Sequence, residues 1–339
     1  MALKEIEPMD DNPLFNKLPS SIQDDDTDSS QSDSLSFDPI GYEDPGEKAE
    51  ASQALRDPSL PFVVAVANQK GGVAKTTTVV SLGGALVRYE QEVLLVDLDA
   101  QANLTLALGK DPSRMRGAIT EVMFNSATLL SISRESTIPG LDLVPSNSGM
   151  EVAERFLPVR KNFETILRRS LNESFDRFPY IPGGDSELAL SYSQSPFRPY
   201  DFVILDCPPV IGAVTLNALV AADLLIIPTQ PEYFSASALR TMMAVINQVR
   251  SKHNPNLVYR ILITMLDRRN RIHKDVSQQI RTSFGDGVFE TIIEIDTKLR
   301  ESAVEGLPIS YYKSRSRSAL QYDALARELI QYVESKGGK

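Results

Sequence analysis

The chain has 339 residues, 42% of them apolar, enough for a sizeable core in one large domain or two small ones. Its single cysteine, Cys207, excludes a disulfide framework and a cysteine metal cluster and fits a reducing, cytoplasmic setting; two separated histidines, His253 and His273, argue against a histidine metal site. The net charge of −10 is unevenly placed: residues 1–60 hold 15 Asp/Glu and 4 Lys/Arg, leaving 30 acidic and 31 basic residues in 61–339.

Residues 1–60, rich in Asp, Ser and Pro, show no sustained period and read as a disordered acidic tail, because they bury too little apolar surface to offset chain entropy. The tail is a solubilising leader or, through apolar islands such as Leu14-Phe15, a docking segment. No apolar run approaches the length of a membrane span, and the N-terminus carries no signal segment.

From residue 61 apolar strands alternate with amphipathic helices. Strands are predicted at 62–67, 92–99, 141–145, 201–206, 223–229 and 260–266. Helices are predicted at 76–89, 114–124, 150–171, 235–252, 273–284, 297–304 and 317–335. Continuous apolar strands separated by helices imply a doubly wound, mostly parallel α/β sheet covered on both faces, with its sites at the carboxyl ends of the strands. The turn-rich stretch 172–199 reads as a peripheral insertion.

The loop "NQKGGVAKTTT" (68–78) lies between a strand and a helix, the context of a phosphate-binding loop. Its amides and the helix N-terminus attract phosphate, Lys75 would reach the outer phosphates, and the Thr76 hydroxyl would bind Mg²⁺. The common G-x-x-x-x-G-K-[ST] pattern fails at Gln69 and Ala74, whereas K-G-G-x-x-K-[ST] matches. In this the chain resembles the ParA/MinD group of deviant Walker A P-loop ATPases. The resemblance implies a P-loop NTPase fold for 61–339, with ATP and Mg²⁺ held by Lys70, Gly71, Gly72, Val73, Ala74, Lys75, Thr76 and Thr77. Lys70 would cross a dimer interface to the partner's ATP while Lys75 acts in cis. Alanine at position 74 is harmless where φ is negative and weakens binding where it is positive.

"LLVDLDAQANLT" (94–105) ends a strand with Asp97 and Asp99 on one side. By resemblance Asp99 orients the attacking water, Asp97 supports the Mg²⁺ region, and Gln101 and Asn103 belong to a γ-phosphate switch; an N-cap is the plainer role for Asp99. "YDFVILDCPP" (200–209) has the Walker B form, with Asp206 holding a Mg²⁺-bound water. Met265 and Asp267, just past a strand end, are candidates for the adenine or for a structural turn.

Within the superfamily, Cys207 alone cannot ligate a cluster, the tyrosines form no terminal cluster, and the last helix lacks the basic face of a membrane anchor. That helix, with Leu320, Leu325, Leu329, Tyr332 and Val333 on one stripe, reads as packed. The ParA/Soj branch remains. It implies an ATPase that is a homodimer in the ATP state, binds non-specific DNA, answers to a ParB-like activator and hydrolyses ATP slowly. Its place would be the cytoplasm, on the nucleoid, and its role chromosome or plasmid partition or protein positioning. Between 250 and 320 there are 13 Lys/Arg against 8 Asp/Glu. Arg268, Arg269, Arg271, Lys274, Lys313, Arg315 and Arg317, with Arg281, are the DNA-binding candidates; a solvated face is the plainer reading. A MinD-like membrane-associated protein and a metabolic ATP-dependent enzyme of the same fold are the alternatives.

Overall fold

The computed structural model describes residues 60–175 and 200–336; nearly all of the acidic tail and most of the 172–199 stretch lie outside the described residues. The strands are β1 (Phe62–Val66), β2 (Val93–Asp97), β3 (Arg134–Glu135), β4 (Leu141–Val144), β5 (Phe202–Asp206), β6 (Leu224–Thr229), β7 (Val258–Leu266) and β8 (Val288–Glu294). Among the described residues they form one eight-stranded sheet ordered β3-β4-β2-β5-β1-β6-β7-β8, parallel except for β3. The principal helices are α1 (Lys75–Val87), α2 (Asn103–Ala107), α3 (Gly149–Phe156), α4 (Ile166–Phe175), α5 (Ala213–Ala221), α6 (Ser235–Lys252), α7 (Arg271–Phe284), α8 (Lys298–Val304) and α9 (Arg317–Lys336).

The central strands are continuous apolar runs because both faces are buried. In β1, Val63 and Ala65 join one core layer, and Phe62, Val64 and Val66 join the other. The chain runs from β1 across to β2 on one side and places β6 on the other, so strand order reverses at β1. Such a reversal opens a crevice at the carboxyl ends of the strands. Register sets the level of that edge: Val66, Asp206 and Asp97 are neighbours across β1, β5 and β2. Helix α1 is locked in place by close packing, since a Cβ on Gly84 would lie 2.3 Å from the Pro308 side chain.

Several elements differ from the sequence-based expectation; the helix predicted over 114–124 is reduced to Ile119–Met123 after a 3-10 turn at Pro112–Arg114. The helix predicted over 150–171 is broken, because Pro158 cannot continue it; 3-10 turns at Leu157–Val159 and Phe163–Thr165 link α3 to α4, which runs on to Phe175. Helix α5 is missing from the prediction because it is apolar nearly all round, with Ala213, Val214, Ala218, Leu219 and Val220 all buried, and so carries no amphipathic period. Strand β8 was hidden because Glu290 is exposed, Thr291 and Ile292 are half-buried, and its pairing with β7 shifts register. The stripe on α9 packs as expected at Leu325 and Leu329, but Leu320 is 58% exposed. Among the described residues no helix is long and apolar enough to cross a membrane.

Candidate functional site

The loop after β1 is pinned from three sides. The Asn68 amide donates to the Pro228 carbonyl at 2.8 Å, and its Oδ1 accepts from the Lys70 amide at 3.0 Å. Thr264 Oγ1 donates to the Val73 carbonyl at 3.0 Å, while the Val73 side chain is buried. Gly71 and Gly72 have open space where a Cβ would be, so a ligand can approach the backbone. Ala74 is left-handed, with φ 68° and ψ 34°, and stands at the N-cap of α1. This is the conformation that the sequence left open, and for alanine it costs about 1–2 kcal/mol. No side chain caps α1 and its first turn holds no acid, which leaves its N-terminal field to a ligand. Ala102 (φ 53°), the N-cap of α2, and Met265 (φ 53°), next to last in β7, are also left-handed; Ala74 and Met265 line one cavity, and Ala102 precedes Asn103, which also lines it.

That cavity has a volume of about 620 Å³, ordinary for a small-molecule site. Gly71, Gly72, Ala74, Lys75, Thr76, Thr77, Asp99, Asn103 and Met265 line it. Val73 does not; its contribution is confined to the backbone. Lys75 reaches back to the Lys70 carbonyl at 3.1 Å, and burial lowers its pKa against the pull of Asp206.

The two strand-end carboxylates separate into different roles. Asp206 is fully buried, and burial, then repulsion from Asp97, raise its pKa well above the usual range; the nearby Thr76 hydroxyl and Lys75 ammonium offset part of this. Neither Asp206 oxygen makes a hydrogen bond of good geometry within the protein. A buried acid with no partner beside a threonine hydroxyl fits a hydrated Mg²⁺, which needs few protein ligands. Asp97, expected to support the metal, instead has its oxygens engaged: Oδ2 accepts from the Thr105 amide (2.8 Å) and hydroxyl (2.7 Å), and Oδ1 from the Asp99 amide (3.1 Å). Burial raises its pKa to about 6. It staples the loop that carries Asp99, Gln101 and Asn103 to the end of β2, and Thr105 passes the connection to Ser146 beyond β4. Asp99 faces the cavity and its Oδ1 accepts from the Gln101 amide at 3.0 Å.

Lys70 lies off the cavity, half-buried, with its ammonium paired to Glu232. Asp267 is also outside the lining. Its carboxylate grips Arg269 at 2.9 and 3.0 Å, and this bond holds its pKa down near 2; its amide donates to His273 Nδ1. The far wall is made by residues that the sequence reading passed over: Glu294, Ile295, Asp296, Thr297, Leu299 and Arg300, from the end of β8 into α8. The same rule that placed the other motifs, that polar residues after a buried strand face the site, would have found them once β8 was recognised.

The DNA-binding candidates divide. Arg268 and Arg317 both bind the buried Glu294, Arg269 binds Asp267, and Arg271 pairs with Asp275. Arg281 is structural, donating to the Phe289 and Glu290 carbonyls. Lys274, Lys313 and Arg315 are exposed and have no ion-pair partner among the described residues. The two basic stretches, separate in sequence, meet at Glu294.

A profile of the AAA domain family (AAA_31) matches residues 62–182 and 190–259. The chain is 32% identical over 286 residues to the chromosome partitioning protein ParA of Caulobacter vibrioides, covering 82% of this chain and 97% of that protein. It is 33% identical over 268 residues to the sporulation initiation inhibitor protein Soj of Bacillus subtilis, covering 79% and 97%. Among solved structures, cobyrinic acid a,c-diamide synthase of Mycobacterium smegmatis with a bound ATP analog and magnesium matches with a TM-score of 0.68 at 31% identity, over 81% of this chain and 96% of that one.

Proposed function

Because this chain belongs to the AAA domain family and is about a third identical over most of its length to the partitioning protein ParA and to Soj, we propose that it is an ATP-driven dimer switch. It binds DNA without sequence preference in the ATP state and positions a cargo, a chromosome, a plasmid or a protein assembly. An activator of the ParB kind speeds a slow intrinsic hydrolysis. The observation that carries this reading is the division of labour between the two loop lysines: Lys75 lies on the cavity, and Lys70 sits outside it with its ammonium on Glu232. A second phosphate-seeking lysine that does not face its own cavity suits a partner's nucleotide.

The residues take these roles. Lys75 and the N-terminus of α1 bind the outer phosphates. Thr76 and Asp206 would hold Mg²⁺, which supplies positive charge where negative charge gathers on the phosphoryl group. Asp99 orients the attacking water, and Asp97 holds Asp99 in place. Met265 and the 294–297 segment enclose the base. Lys70 leaves Glu232 when a second copy arrives. Lys274, Lys313, Arg315 and the outward faces of Arg268 and Arg271 contact DNA phosphates, which needs charge and no base readout.

Lys70→Ala is expected to bind ATP as the parent does but to stay monomeric with ATP in size-exclusion chromatography. A Lys70→Ala protein that dimerises like the parent sinks the trans role. A DNA gel shift beside a liposome sedimentation, both with ATP, separates this reading from a membrane-associated relative; a protein that does neither points to the metabolic enzymes of the fold.

A further inference from the structure

We propose that Glu294 is a positioning residue that assembles the DNA-binding surface and ties it to the nucleotide cavity. The proposal rests on the DNA-binding reading above. Glu294 closes β8 and is only 6% exposed. Its Oε1 accepts from Arg268 Nε at 2.8 Å and from Gln321 Nε2 at 3.1 Å; its Oε2 pairs with Arg317 Nη1 at 3.0 Å. One buried carboxylate therefore holds a guanidinium from each of two basic segments that are some fifty residues apart in sequence.

Arg268 and Arg317 remain 72% and 54% exposed while bonded, so Glu294 orients them without covering them. One acid against two guanidiniums leaves a net positive charge. Arg268 is held through Nε, which leaves its terminal nitrogens to face a phosphate. Arg317 is held more fully, since it also donates to the Ile295 carbonyl. In this arrangement it anchors the surface, and the exposed Lys313 and Arg315 just before it make the contacts.

The same segment is also cavity wall. Glu294, Ile295 and Asp296 line the nucleotide cavity, and Asp296 accepts from the amide (3.3 Å) and hydroxyl (2.9 Å) of Ser318, the residue after Arg317. A ligand pressing on 294–296 therefore acts on atoms that hold the basic surface. A nucleotide state that fits this wall better will favour the aligned arginines, and by reciprocity DNA will favour that nucleotide state.

The test has an unusual sign. Glu294→Gln removes a negative charge beside a DNA surface, so simple electrostatics tightens DNA binding. Positioning predicts a loss instead. The measurement is binding of a fluorescent duplex of arbitrary sequence, across a salt titration, with saturating ATP and with saturating ADP. Expected for Glu294→Gln is about a tenfold weaker affinity with ATP, a salt slope shallower by about one contact, and a reduced preference for ATP over ADP. Arg268→Gln added to Glu294→Gln should cost little more, since the first change acts through the second residue. Should Glu294→Gln fail to fold, Arg268→Gln alone carries the test, with a slope shallower by about one and a smaller ATP preference. Unchanged or tighter ATP-state binding in the folded variant overturns the positioning role. A parent chain that binds no duplex in either state overturns the DNA reading and the proposal with it.

Discussion

On the phosphate side of the cavity, residues 68–77 combine bonds of their own with two to the central sheet: Asn68 folds back on the Lys70 amide and Lys75 on the Lys70 carbonyl, while Pro228 of β6 and Thr264 of β7 pin Asn68 and Val73. On the far side, Asp296 and Thr297 open α8, with the Lys298 and Leu299 amides donating to Asp296, but the end of β8 also rests on side chains from elsewhere. Arg268, Arg317, Ser318 and Gln321, from before α7 and from α9, keep them in place. The near side is braced by the central strands β6 and β7 and should respond little to events at the basic surface. The far side is shared by three parts of the chain, which makes it the side through which other ligands can be felt.

The largest expected effect lies between the two walls, at the end of β2. Asp99→Ala should still bind ATP yet lower partner-stimulated hydrolysis by about 10²–10⁴, the range for a lost proton-handling group. Turnover equal to the parent would remove Asp99 from the chemistry. Next, Lys75→Ala should weaken ATP binding by about 100-fold, since a charge-assisted bond to phosphate is worth about 1.5–3 kcal/mol; fluorescent-nucleotide titration reads it, with or without DNA. A smaller loss belongs to the far wall. Ser318→Ala removes the hydroxyl bond to Asp296 and should weaken ATP by about fivefold, the worth of one ordinary hydrogen bond. If DNA does not change that figure while Lys75→Ala becomes DNA-sensitive, the contrast between the walls is wrong. The smallest effect has the opposite sign. Ala74→Gly relieves a left-handed alanine and should raise stability by about 1 kcal/mol, seen as a rise of about 2–4 °C in melting temperature. A drop in melting temperature would show that the methyl group packs usefully.

The near side was legible because its signals are short-range. The run 64–80 carries strand, turn and helix start in order, and Asp97, Asp99 and Asp206 each follow an apolar run that can only be a buried strand. The fold was legible for the same reason, except where burial erased the pattern. Helix α5 has no polar face to give it a period, and the mixed exposure of β8 concealed a strand. Losing β8 meant losing Glu294–Thr297 as cavity residues. The division between Asp97 and Asp206 could not be read at all: both are aspartates at strand ends, and only Thr105, folding back from α2, decides which of them is satisfied.

The sequence by itself determined the doubly wound sheet, the loop proposed to receive phosphate, and the residue types proposed to hold a metal and a water, because these follow from periods of two and 3.6 and from contacts a few residues apart. The tertiary structure decided what each polar group faces. It set Ala74 at positive φ, paired Lys70 with Glu232, satisfied Asp97 and left Asp206 without a partner. It also drew residues 268 and 317 onto one buried carboxylate. The last of these depends on side chains brought together across strands β7 and β8 and helix α9, and the Lys70 pair on a residue that follows β6. A buried charge is settled by whichever groups arrive beside it, at distances along the chain that no local pattern records.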